Sequence, residues 1–122
     1  MNILIIEDHP SELKLANHVL ESDGHVVAGL ETADQAFEAI LRDRPELILL
    51  DMSLPGMDSL ALVKLIREDP VTRDIVVVAV TSHPEVYPRS LAIRSGCDAY
   101  ILKPISTRTL SQDLVDVVRK KI

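Results

Sequence analysis

Five polar residues stand directly at the ends of apolar runs in this 122-residue chain: Glu7 and Asp8 after Asn2 to Ile6, Asp51 after Leu47 to Leu50, Thr81 after Ile75 to Val80, and Lys103 after Ala99 to Leu102. A charged side chain that closes a buried strand is driven out at the strand's carboxyl end. In open parallel sheets that edge is where ligands bind. Gathered there, three carboxylates repel one another, and one must take a proton unless a cation intervenes. Lys103 supplies one positive charge, and a divalent metal supplies the rest. Carboxylates with a backbone carbonyl and waters form an oxygen site suited to Mg²⁺.

These ingredients fit phosphoryl transfer. A carboxylate is ionised near neutral pH, so Asp51 needs no general base to act as a nucleophile. The remaining work is to hold groups in line and neutralise the transferred charge. Mg²⁺ would bridge Asp51 and the phosphoryl group. Lys103 would pair with one phosphoryl oxygen and the Thr81 hydroxyl would donate to another, leaving an acyl phosphate on Asp51.

The intervening segments have to position these groups. Leu13, Leu15, Ala16, Val19 and Leu20 recur at helical spacing between a Ser11 cap and Gly24. A valine-rich strand over 25–30 follows, then a helix opened by Thr32 or Asp34 and stopped by Pro45. After Asp51, a Pro55-Gly56 turn leads to a capping Asp58 or Ser59 and a helix from about Leu60 to Glu68, with Leu62, Val63, Leu65 and Ile66 inward. Pro84 and Pro88 delay the fourth helix to near Pro88, with 81–87 as an irregular loop and Gly96 as the stop. A last helix runs from about Thr107 to Lys121, with Leu110, Leu114, Val117 and Val118 inward. Strands alternating with helices of roughly ten to fifteen residues imply βαβ units and one doubly wound α/β domain over 1–122, with a five-stranded parallel sheet and five helices.

Composition narrows the function. A net charge of −6 argues against generic nucleic-acid or anionic-membrane binding. No apolar run approaches the ~20 residues of a membrane span, and Glu7-Asp8 interrupts the N-terminal apolar run that a signal peptide would need. A single cysteine, Cys97, excludes an internal disulfide and fits a cytoplasmic location. Phe37, Tyr87 and Tyr100 are too few for base stacking. His9, His18, His25 and His83 lack metal-ligand spacing and read as surface or loop residues. Arg119-Lys120-Lys121 reads as a favourable helix C-terminus.

Glu7-Asp8, Asp51 with Leu54-Pro55 after it, Thr81, Tyr100 and Lys103-Pro104 together resemble the receiver domain of bacterial two-component response regulators, the CheY-like fold. The resemblance covers essentially the whole chain and implies strand order 2-1-3-4-5. It implies phosphorylation of Asp51 from a histidine of a sensor kinase or phosphotransfer protein. It implies Mg²⁺ held by Glu7, Asp8, Asp51 and the Ser53 carbonyl. Thr81 and Tyr100 would act as a switch that alters the face of the fourth helix, fifth strand and fifth helix for a downstream protein. With no output domain after Ile122, output is expected by protein contact. Ser59 departs from the family's common glycine, and His83-Pro84 makes the switch loop atypical. An interaction module working without phosphate is the alternative, and such proteins typically lose one of the acidic residues or the lysine. An aspartyl-phosphate phosphohydrolase would need a second Asp where Ser53 stands.

Overall fold

The computed structural model describes residues 1–32, 34–56 and 58–121. Ten elements alternate along the chain: β1 (Asn2–Ile6), α1 (Pro10–Ser22), β2 (Val26–Leu30), α2 (Ala36–Asp43), β3 (Leu47–Asp51), α3 (Ser59–Glu68), β4 (Val76–Thr81), α4 (Arg89–Ser95), β5 (Ala99–Leu102) and α5 (Leu110–Lys121). The strands form one parallel sheet in the order β2-β1-β3-β4-β5. This is the expected CheY-like arrangement.

Period-two alternation divides the core between two faces. Leu4, Ile6, Ile48, Leu50, Val77 and Ala79 pack against Ala36 and Ile40 of α2, Leu62, Val63 and Ile66 of α3, and Ala92 of α4. Ile3, Ile5, Leu47, Leu49, Val76, Val78 and Val80 pack against Ala16 and Leu20 of α1 and Leu110 and Leu114 of α5. The central strands β3 and β4 are buried at every position, as their unbroken apolar sequences require.

Local boundaries differ from the sequence reading in instructive ways. Pro10, not Ser11, opens α1, because proline at the first helical position gives up only an amide that has no partner there anyway. His25 precedes β2 instead of starting it, and its Nδ1 lies 3.0 Å from the Met1 amine. Helix α2 begins at Ala36 with Gln35 at its N-cap, so neither Thr32 nor Asp34 caps it. Helix α5 begins at Leu110 rather than Thr107, after a turn closed by Leu110 N–H donating to the Ser106 carbonyl. Leu65 is 49% exposed, not inward. At 100° per residue, Leu62, Val63, Leu65 and Ile66 are too widely spread for all four to face one stripe. The late start of α4, with Pro88 at its N-cap position and a left-handed Gly96 at its end, is as expected.

Arg67 ties the α3 side of the sheet together. Its guanidinium donates to the carbonyls of Gly96 at 2.9 Å, Arg73 at 2.8 Å and Ile75 at 2.6 Å, and to Asp98 Oδ2 at 2.8 Å. Gly96 is required here twice over: its φ is +118°, and an added Cβ would stand 3.0 Å from Arg67 Cγ. We expect Arg67→Ala to cost about 2–4 kcal/mol in denaturant unfolding, since several carbonyls lose a charged donor together. Arg67→Lys should recover less than half of that, because a point charge cannot reproduce the fork.

Candidate functional site

Strand alternation decides which strand-end side chains meet. Ile5 and Leu49 face α1 and α5, so Glu7 and Asp51, each two residues further on, point the same way. Lys103 follows Ile101 by the same step. Thr81 and Tyr100 have the opposite parity, and Tyr100 packs with the α2–α4 core. The register sets Asp51 beside Val80 and Thr81 beside Leu102 at the carboxyl edge of the sheet, with Tyr100 two residues inside it, beside Ala79.

The geometry bears this out. Lys103 Nζ lies 2.5 Å from Glu7 Oε1, 3.2 Å from Asp51 Oδ2 and 3.4 Å from Glu12 Oε1. Its partners come from 96 and 52 residues away in the chain. Glu7 and Asp51 are only 6% and 3% exposed. Asp51 Oδ1 accepts the Ser53 N–H at 2.9 Å, and the Ser59 hydroxyl donates to the Asp51 carbonyl at 2.8 Å. Ser59 therefore anchors the end of β3, while Asp58 caps α3 by accepting from the amides of Leu60 and Ala61. The Lys103-Pro104 peptide is cis. Thr81 is fully buried, and its Oγ1 accepts the His83 N–H at 2.9 Å. The Tyr100 hydroxyl donates to the Tyr87 carbonyl at 2.5 Å.

Burial and charge set the protonation of this group. Burial, then the hydrogen bond with Asp51, push Glu7 above its ordinary value, and Lys103 and His9 only partly offset this. Burial would also raise Asp51, but the hydrogen bond with Glu7, the Ser53 amide and Lys103 outweigh it and hold Asp51 below the usual range. Burial works against the Lys103 ammonium, yet Glu7 and Asp51 raise it above its ordinary value. Glu7 is thus the harder of the two carboxyls to ionise and Asp51 the easier.

The donors fit a divalent cation. Asp8 Oδ1 and the Ser53 hydroxyl are buried and lack a hydrogen-bond partner, and orphaned oxygens beside two carboxylates are what a cation and its waters satisfy. The sequence reading missed two residues here. His9 Nδ1 lies within 3.3 Å of Glu7, Asp8 and Glu12, and Glu12 reaches Lys103 from the first turn of α1. No ligand spacing marks His9 in sequence; its adjacency to Asp8 at a strand end was the available signal.

Residues 3–115 match the response regulator receiver domain. The phosphate regulon transcriptional regulatory protein PhoB of Klebsiella pneumoniae is 36% identical over 118 residues, which is 97% of this chain and 52% of that protein. The chain thus spans about half the length of such curated relatives. The polar-differentiation response regulator DivK of Brucella anthropi is 32% identical over 105 residues, covering 86% of this chain and 85% of DivK. A CheY-like response regulator receiver domain protein from Methanospirillum hungatei JF-1 superposes with a TM-score of 0.88 at 25% identity, over 98% of this chain and 94% of that one. With its fold, its acidic strand ends and these likenesses in agreement, the chain belongs to the response regulator receiver domain family of two-component signalling.

Proposed function

We propose that this chain is a phosphoacceptor switch, taking a phosphoryl group onto Asp51 from a phosphohistidine of a sensor kinase or phosphotransfer protein. The observation that carries the reading is the junction of Lys103 with Glu7 and Asp51 at 2.5 and 3.2 Å. An ionised Asp51 oxygen attacks phosphorus, the P–N bond to the donor imidazole breaks, and an acyl phosphate forms. Lys103 then exchanges carboxylate partners for a phosphoryl oxygen, which places a fixed positive charge where negative charge moves. Glu7, Asp8, Asp51 and the Ser53 carbonyl would hold Mg²⁺, which screens the carboxylates from the incoming phosphoryl group.

Relay to a partner is assigned to Thr81 and Tyr100. Reorienting the Thr81 hydroxyl toward the phosphoryl group gives up its bond from His83, and the Tyr100 ring sits on the same face of the sheet. Its bond to Tyr87 ties it to the loop before α4, so movement there would alter the α4–β5–α5 face presented to a downstream protein. A module acting without phosphate finds no support in the pocket, where Glu7, Asp8, Asp51, Thr81 and Lys103 all stand. Among the described residues no helix is long and apolar enough to cross a membrane.

Incubation with Mg²⁺ and acetyl phosphate tests the reading by intact mass. The expected result is a gain of one phosphoryl group, released by hydroxylamine as an acyl phosphate is, and lost when the cation is chelated. Uptake that resists both chelation and hydroxylamine would sink it.

A further inference from the structure

His9 follows the end of β1 and occupies the N-cap of α1, yet its side chain makes no cap bond to that helix. The ring is 59% exposed, so burial does not fix it either. It leans instead over the acidic pocket. Nδ1 lies 3.1 Å from Glu7 Oε2, 3.3 Å from Asp8 Oδ1 and 3.0 Å from Glu12 Oε2. One ligand atom from each of Glu7, Asp8, His9 and Asp51 falls within 4.8 Å of the others. That span is about twice a metal–ligand bond of roughly 2.0–2.4 Å, the spacing expected of ligands that share one ion.

We propose that His9 is a nitrogen ligand of this pocket and that the pocket consequently favours borderline transition ions such as Co²⁺, Ni²⁺ and Zn²⁺ over Mg²⁺. The inference rests on the reading of Glu7, Asp8 and Asp51 as cation ligands. Imidazole suits those ions, whereas Mg²⁺ gains little from nitrogen and prefers oxygen and its own waters. The neutral tautomer with its proton on Nε2 turns the Nδ1 lone pair toward the carboxylates, where a cation takes the place of a bridging proton. The rival account of the same distances is a simple ion pair between imidazolium and carboxylates.

Calorimetric titration of the wild-type chain and His9→Phe with Co²⁺ and with Mg²⁺, near about pH 8, separates the two. The ratio of Co²⁺ to Mg²⁺ affinity is expected to fall at least about tenfold in His9→Phe, through loss of Co²⁺ binding. Pulsed electron paramagnetic resonance of bound Mn²⁺ should show imidazole nitrogen coupling in the wild type alone. His9→Gln serves equally if circular dichroism shows His9→Phe to be misfolded. A ratio unchanged in the folded variant, whether both affinities hold or fall together, overturns the inference and leaves the cation pocket standing. No binding of either ion to the wild type overturns both.

Discussion

Asp51→Asn is expected to abolish phosphoryl uptake and also to raise the melting temperature by about 3–6 °C. Uptake ends because a neutral amide offers no anionic oxygen to phosphorus. The gain in stability follows from what folding imposes on the pocket. Two carboxylates, 6% and 3% exposed, face one ammonium. The raised step of their titration belongs to the proton that keeps both from being charged together. A group whose folded value is raised gives stability below its unfolded value and loses it as pH climbs through the folded one. The wild type is therefore penalised at neutral pH through Glu7. Asp51→Asn removes that step and also gives up the stability of the depressed Asp51 carboxylate, and we expect the first effect to outweigh the second. The amide oxygen still accepts the Ser53 N–H and Lys103 keeps Glu7 at 2.5 Å, while the amide nitrogen, in the place of Oδ2, gives up the 3.2 Å bond from Lys103. Relief of the like-charge pair is worth about 1 kcal/mol. Intact mass after acetyl phosphate and thermal unfolding check the two halves separately. Phosphate still taken up would move the acceptor elsewhere. A lower melting point would mean that attraction to Lys103 outweighs repulsion from Glu7.

The same pocket shows what could be read from the chain alone. The strands of the centre were legible because Val, Ile and Leu leave little else for 47–50 and 76–80 to become. Their parity then carries Glu7, Asp51 and Lys103 to one side without further information. Helix starts were less legible. Sequence offers Ser11, Thr32 or Asp34, and Asp58 or Ser59 as caps; only Asp58 caps in the structure, while His9 and Gln35 hold the N-cap positions of α1 and α2. Ser59 is the sharpest case, since its hydroxyl serves the carbonyl of Asp51, a partner no spacing rule reveals. Glu12 was invisible, and His9 marked only by its adjacency to Asp8, for a related reason. Their meeting with Glu7 and Lys103 depends on how α1 leaves β1, and that angle is set by tertiary packing rather than by local pattern.

Lys103→Met should act in the opposite direction, lowering stability by about 3–5 kcal/mol at neutral pH. Methionine keeps the apolar stem but leaves Glu7 and Asp51 buried with no ammonium. The Glu7 carboxyl, already raised, rises further. Its contribution is fully present below the unfolded value of 4.5 and fades as pH increases through the folded one. Lys103 itself is raised above 10.5, so the wild type keeps the stability it brings throughout the neutral range. The deficit of the variant is thus small near about pH 4 and grows steadily to about pH 8, while the exposed His9 is present in both proteins and largely cancels. Saturating Mg²⁺ should restore part of the loss, about 2.7 kcal/mol at a hundred times its dissociation constant. Uptake from acetyl phosphate should nevertheless fall by about 10²–10³, since the fixed charge on the phosphoryl oxygen is gone. Mg²⁺ affinity should increase, because the ammonium no longer competes for the same carboxylates. Those last two changes have opposite signs, which a merely misfolded pocket cannot produce. Denaturant unfolding across pH, Mg²⁺ titration and intact mass together decide it. A deficit independent of pH, or Mg²⁺ affinity falling along with uptake, would reduce Lys103 to a packing role.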